Sequence, residues 1–328
     1  MAKSTGIANA DASPLIRFGP IALNEALMSF RHEMNAEIMA LLRSLPETVH
    51  TDAVVFLMRH CGTPFFPQFD YFSNYFAPSW SILYWLHREY NHTAGRAPQD
   101  LRNAQTIHAM ALFMHPLDDH LNDGQLPASH LNVLIRSQAW MRMNLAAARL
   151  AAGVADGESR VAALLDAYYA AIGSAPADET MDGYCGHFRA QMATGLIAPS
   201  LLGRKLGRDD DFVAILLDAY ASFGIAWRLM DDLQDFESDM ASGSHTAIYF
   251  GLPMALRALW DLAPGDQNQA HYTRIRSVVY DGGIWEMVRE RIFRELTAAA
   301  SKMARLHLDG LAEEIRCLAT PLTMGATL

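Results

Sequence analysis

Two groups of aspartates carry the chemistry legible in this sequence: Asp118, Asp119 and Asp123 in the run LDDHLND, and Asp231, Asp235 and Asp239 in RLMDDLQDFESD. Residues four apart share a helix face, so Asp119 stacks over Asp123 and Asp118 over Asn122. The second trio, spaced by four, drifts only about 80° around a helix expected from Phe223 to Met240. Asp232 and Glu237 fall off that face. Like charges at this spacing repel, and anions in the last turn of a helix also meet the negative end of its dipole. The placement costs stability unless cations neutralise it. Mg²⁺ suits the task, because it takes hard oxygen ligands, keeps several waters and bridges to phosphates. For either run alone, a solvated acidic face is the alternative. The lead-ins AMALFM and GIAWRLM are apolar, however, which makes both helices core helices. Two such clusters facing each other would hold two or three magnesium ions around a diphosphate.

The elements that must position these clusters read as helices throughout. The chain has 328 residues, 51% of them hydrophobic, enough to bury a large core. Ala, Leu and Met are abundant while β-branched residues are sparse, which favours helix over sheet. Breaks fall at Leu45-Pro46, Gly62 to Pro67, Asn91 to Pro98, Asp123 to Pro127 and Gly153 to Gly157. Later helical patterns run from Arg160 to Ile172, Asp178 to Leu206, Asp210 to Ser238, Pro253 to Leu262, Ala270 to Val279 and Ile284 to Leu308. With no strand alternation, fixed repeat or linker, the expectation is an all-α fold of roughly ten or more helices over residues 21–319. Residues 1–20 read as a flexible leader and 320–328 as a flexible tail.

The formal net charge of −10 argues against a nucleic-acid surface. Three cysteines without a CxxC pair suggest neither a disulfide framework nor a zinc site, and a reducing, cytoplasmic setting is expected. No signal-like segment or membrane-length apolar run occurs, so no integral membrane role is expected.

Together the motifs resemble those of the class I terpenoid synthase superfamily: trans-prenyl diphosphate synthases, squalene and phytoene synthases, and terpene cyclases. LDDHLND resembles the family's DDxxD or DxxxD motif, which implies Asp118, Asp119 and Asp123 as magnesium ligands. RLMDDLQDFESD resembles both the DDxxD of prenyl synthases and, by spacing, the NDxxSxxxE of cyclases, with Asp231, Asp235 and Asp239 at the ligand positions. The run from Tyr184 to Gly203 is similar to a helical segment of squalene and phytoene synthases. The resemblance spans residues 70 to 250. It implies three Mg²⁺, a prenyl diphosphate substrate, loss of diphosphate to leave an allylic carbocation, and the family's common homodimer.

Departures from the family decide between its branches. Chain-elongating synthases follow the first motif with Arg-Arg-Gly and carry an upstream basic patch for a second diphosphate; here QLPASH follows, and Arg59 and His60 are the only upstream candidates. Ser244, His245 and Thr246 stand where prenyl synthases tend to place a Lys. These points turn the expectation towards a cyclase ionising one substrate. Asp235, where cyclases usually have Ser or Thr, and the lack of a C-terminal Arg-Tyr pair keep prenyl diphosphate synthase or head-to-head condensation open. A metal-dependent phosphohydrolase and a non-catalytic interaction protein are the readings from other classes.

Arg189 is the residue expected to read the diphosphate through its bidentate fork, with a salt bridge to a neighbouring helix as the alternative. Arg228, one turn before Asp231, either assists or pairs with that aspartate. The cation needs an apolar cavity with π faces. Six aromatics crowd residues 71–84, and Phe72, Phe76, Trp80 and Tyr84 step by four along one expected helix, as cavity wall or as plain core. Tyr184, Phe188, Phe223 and Trp227 are further candidates. His115 and His120 flank the first cluster without a metal-ligand pairing.

Overall fold

The structure, a computed structural model, describes residues 16–59, 61–91, 98–122, 124–262 and 269–323. Fifteen α-helices and two short 3₁₀ turns occur among them, and no strand. In chain order these are α1 (Glu25–Arg43), α2 (His50–Arg59), α3 (Pro78–Tyr90), α4 (Pro98–Asn122), α5 (His130–Ala151), α6 (Gly157–Ile172), α7 (Met181–Gln191) and α8 (Ala193–Lys205), then α9 (Asp210–Gln234), α10 (Phe236–Ser242), α11 (Ala247–Gly251), α12 (Met254–Asp261), α13 (Gln269–Tyr280), α14 (Ile284–Arg305) and α15 (Asp309–Thr323). The all-α expectation holds.

Local chemistry sets many of the starts. Asn24, Ser129, Thr180 and Asp209 each accept a backbone N–H three residues on, so α1, α5, α7 and α9 begin with a satisfied donor. The core is built around α4, α8, α9 and α14: α4 packs on α5 and α8, α8 on α9, and α9 on α14, which α15 backs from the other side. Helix α9 is buried on most of its circumference, with Leu216, Ala219, Ala226, Leu229 and Leu233 shielded from solvent. It is the one helix among the described residues apolar and long enough to cross a membrane by composition, and its buried face explains that composition instead.

Three boundaries differ from the sequence expectation. The pattern from Asp178 to Leu206 is two helices, separated at Met192, whose side chain lies where a Cβ on Gly224 would be, 2.0 Å from its Cε. The helix expected from Phe223 to Met240 ends at Gln234 and restarts at Phe236. The aromatic stripe is not one helix: Tyr71–Asn74 is a 3₁₀ turn, Tyr75 is extended, and α3 begins only at Pro78. Proline has no N–H to donate to the carbonyl of Asn74, so a continuous helix through this segment would lose a bond there.

The expected leader is docked from residue 16 onward. Phe18 is buried edge-on against Phe76 with ring centroids 4.8 Å apart, and Ile16 O accepts from Gln234 Nε2 at 3.1 Å. Gly19 N donates to Leu318 O at 3.1 Å. Pro321 leaves the carbonyl of Cys317 without its helical donor, and Gly19 packs so close to that oxygen that a Cβ would sit 2.0 Å from it. At the other end, 320–323 belong to α15, and 324–328, like 1–15, lie outside the described residues.

Candidate active site

The C-terminal ends of α4 and α9 converge on a cavity of about 340 Å³. Asp119 from α4 and Arg228 and Asp231 from α9 line its mouth, and Tyr75, Phe76 and Trp227 are among its aromatic walls. Arg228 is the only arginine or lysine among the described lining residues. Trp227, Tyr75 and His115 also border a smaller apolar pocket behind, of about 40 Å³, which Phe223 and Tyr220 help to close.

Helix α4 is continuous but lacks one backbone bond just before its aspartates. Pro116 lies inside it, and the carbonyl four residues earlier, Leu112, therefore has no helical donor. The Tyr75 hydroxyl donates to it at 2.8 Å, which also fixes the Tyr75 ring against Trp227 at 6.5 Å. Asp118 then turns inward and is buried against Arg136 and Tyr168. Asp119 faces the cavity, 3.9 Å from Arg228. Asp123 lies outside the described residues.

In the second cluster the break at Asp235 does not scatter the carboxylates. Asp235 N bonds Asp231 O at 2.9 Å and Asp239 N bonds Asp235 O at 2.8 Å, so the four-residue stacking continues through the junction. Burial pushes all three acids up, and their neighbours' negative charge adds to it. Asp231 rises to about 6, with Asp235, Asp232 and Asp119 contributing after burial, and Asp239 rises to about 8, with Asp232 the leading charge. Asp235 is also raised. Arg228 opposes the rise in each case. Among the described residues the side chains of Asp231 and Asp239 have no hydrogen-bond partner.

Arg228 is tied down by its own helix and by α7. It donates to the Tyr184 hydroxyl at 2.7 Å and lies over the Phe188 ring at 5.7 Å. Its Nε is 3.1 Å from Asp232, the fully buried neighbour of Asp231, which in turn accepts from Ala247 N at 3.0 Å. Tyr184 and Phe188, expected as substrate-binding residues, touch Arg228 and are not among the described residues that line the cavity.

Other expected site residues are elsewhere. Arg189 pairs with Asp218, which Lys302 also holds. Asp218 precedes Asp231 by thirteen residues, about 20 Å along α9, so Arg189 is not brought to the aspartates. Phe72 and Trp80 are core, and Tyr84 packs on Phe30 and Trp85; of the four-residue stripe only Phe76 reaches the cavity. Arg59 is exposed at the end of α2, and His60 lies outside the described residues. Sequence reasoning missed Arg136, Tyr168 and Phe113; the first two come from later helices, with no spacing relative to Asp118 to reveal them.

The donor set fits magnesium: oxygen only, negative and short of cations. No three acidic, imidazole or thiol groups among the described residues converge to enclose an ion by themselves.

No protein-family model matches the sequence, and no curated protein matches it. Solved structures do. Geranylgeranyl pyrophosphate synthase from Corynebacterium glutamicum superposes with a TM-score of 0.66 at 15% identity, covering 92% of this chain and 94% of its own. The chain has the trans-prenyl diphosphate synthase fold. Polyprenyl synthetase from Streptomyces coelicolor A3(2) shares this fold with a TM-score of 0.62 at 14% identity, over 90% of this chain and 98% of its own. A second C. glutamicum geranylgeranyl pyrophosphate synthase structure, complexed with isoprenyl diphosphate and magnesium, matches with a TM-score of 0.58 at 15% identity, over 93% and 99% of the two chains.

Proposed function

We propose that this protein is a magnesium-dependent isoprenoid enzyme that ionises an allylic prenyl diphosphate and, as a prenyltransferase, passes the resulting cation to an alkene acceptor. The observation that carries the reading is the meeting of two acidic helix ends over one aromatic-walled cavity. Asp119, Asp231, Asp235 and Asp239 would hold the metal. Bound Mg²⁺ would supply charge neutralisation to the departing diphosphate. Arg228 would add a guanidinium to the same oxygens, held ready by Tyr184 and Asp232. As the carbon–oxygen bond breaks, its electron pair leaves with diphosphate. Tyr75, Phe76 and Trp227 then present π faces to the allylic cation and keep water from it. Attack by the acceptor alkene forms the new carbon–carbon bond, and loss of a proton restores neutrality.

The prenyltransferase reading is supported by the similar structures. A single-substrate cyclase is the second reading, favoured by the described lining residues: with Arg228 as the only arginine or lysine among them, a second diphosphate has little to hold it. The test is incubation with Mg²⁺ and geranyl, farnesyl, geranylgeranyl or geranylfarnesyl diphosphate, with and without isopentenyl diphosphate, followed by chromatography and a diphosphate-release assay. Longer diphosphates that require isopentenyl diphosphate establish the transferase; hydrocarbon from one substrate alone establishes the cyclase. No turnover of any prenyl diphosphate refutes both. Asp119→Asn and Asp231→Asn should each abolish turnover with the helical circular-dichroism spectrum intact.

A further inference from the structure

Asp118 precedes the cavity-facing Asp119 by one residue, yet its oxygens are already committed. Arg136 donates from Nε to Oδ1 at 2.9 Å and from Nη2 to Oδ2 at 3.1 Å, and the Tyr168 hydroxyl donates to the same Oδ2. The guanidinium lies over Trp140 at 5.2 Å, and Trp140 stacks on Tyr168 at 6.2 Å. The residue is only 5% exposed. One carboxylate on α4 therefore gathers a bidentate cation from α5 and a phenol from α6, an arrangement that fills three of its about four acceptor positions.

The clamp stands where α4 needs one. Pro116 has removed a bond from the last turns of the helix, so the turn that carries Asp119 is held less firmly by its own backbone. Turning Asp118 towards the cavity would strand the Arg136 guanidinium above Trp140 and deprive the buried Tyr168 hydroxyl of its acceptor, costs that a metal contact would have to exceed. Asp119 has no comparable tie, its nearest cation being Arg228 at 3.9 Å.

We infer that Asp118 is a positioning residue and not a metal ligand: Arg136 and Tyr168 hold it so that the last turn of α4 presents Asp119 to the cavity. This rests on the reading of the aspartates as a magnesium–diphosphate site, and it removes one carboxylate from the set that the motif alone implies.

The test uses the full chain, with Mg²⁺ plus inorganic diphosphate followed by calorimetry and Mn²⁺ plus inorganic diphosphate followed by electron paramagnetic resonance. Arg136→Gln leaves the buried Asp118 without its cation and Asp118→Asn leaves the partly buried Arg136 without its anion, and each should weaken binding about tenfold, as loss of a group that orients a ligand does. The double variant D118N/R136Q replaces the ion pair with a neutral amide pair. It should recover to within about threefold of wild type, with the wild-type Mn²⁺ spectrum, because two matched neutral groups cost less than one stranded charge. Asp119→Asn should not be recovered by adding Arg136→Gln. A double variant that stays as weak as Asp118→Asn, or whose Mn²⁺ spectrum changes as that of Asp119→Asn does, overturns the inference and makes Asp118 a ligand. Should the double variant not fold, Tyr168→Phe decides: binding weakened by roughly threefold is expected, and unchanged binding with a lowered melting temperature overturns the positioning role. Absence of Mg²⁺–diphosphate binding in the wild type would instead refute the functional reading, and the positioning role with it.

Discussion

Replacing Glu314 with glutamine should stabilise the protein at pH 8 and do little at pH 4. Glu314 lies on α15 and is 5% exposed. It accepts from Ser81 Oγ at 2.5 Å and Trp85 Nε1 at 2.7 Å, both on α3. Trp85 cannot back away to admit water, because its ring is pressed on Gly310 so tightly that a Cβ there would lie 2.1 Å from it. Burial pushes the carboxyl up to about 7 against the pull of those two donors. An acid raised in the fold binds more protons folded than unfolded. Stability is therefore highest below the unfolded value of about 4.3 and falls as pH rises to about 7, where the loss is complete. The gap between about 4.3 and about 7 is worth roughly 4 kcal/mol at about 1.4 kcal/mol per pH unit. Glutamine keeps the shape and an acceptor for Trp85 but never ionises, so Glu314→Gln should gain most of that amount at pH 8. Urea denaturation of both proteins at several pH values measures it, with exposed Glu313→Gln as control, and the difference between the curves cancels every other titrating group. A difference that does not grow between pH 4 and 8, or that favours the wild type at pH 8, would refute the reasoning.

Arg189→Ala should leave turnover within about threefold of wild type and lower stability by less than about 1 kcal/mol, since a half-exposed pair with Asp218 is all it loses; steady-state kinetics and thermal melting check both. Arg228→Met should destabilise by about 3–5 kcal/mol, because Asp232 is left buried without its cation. Asp232 is raised by burial, so the loss should be larger at pH 8 than at pH 5 in denaturant titrations. Tyr75→Phe strips the Leu112 carbonyl of its donor and should cost about 1–2 kcal/mol. Slower hydrogen exchange near Pro116 in that variant would contradict this account of α4.

What the sequence made legible was local. Asp231, Asp235 and Asp239 could be placed on one side because their period is a property of little more than two consecutive turns, and it survives even the break at Asp235. That break has no Gly or Pro to announce it. The stripe through Phe72, Phe76, Trp80 and Tyr84 shows the converse: spacing of four means a shared face only inside a helix, and Pro78 is the residue that should have limited it. The division of labour between Asp118 and Asp119 was out of reach, because Arg136 and Tyr168 arrive from 18 and 50 residues away. Arg189 was misplaced for a similar reason. Its rank relative to the second motif says nothing of which level along α9 it meets.

The docking of Ile16 to Gly19 makes the two ends of the described chain a single unit. Gly19 bonds the Leu318 carbonyl and packs on the Cys317 carbonyl that Pro321 leaves without a donor, Phe18 backs the Phe76 cavity wall, and the Ile16 carbonyl restrains Gln234, next to Asp235. A cut ahead of Pro321 would therefore reach the acidic cluster through the N-terminal segment, and a bulky side chain at position 19 would reach α15. Changes to residues 16–19 or to the last turn of α15 bear on the candidate site, and variants there should be judged by diphosphate binding as well as by solubility.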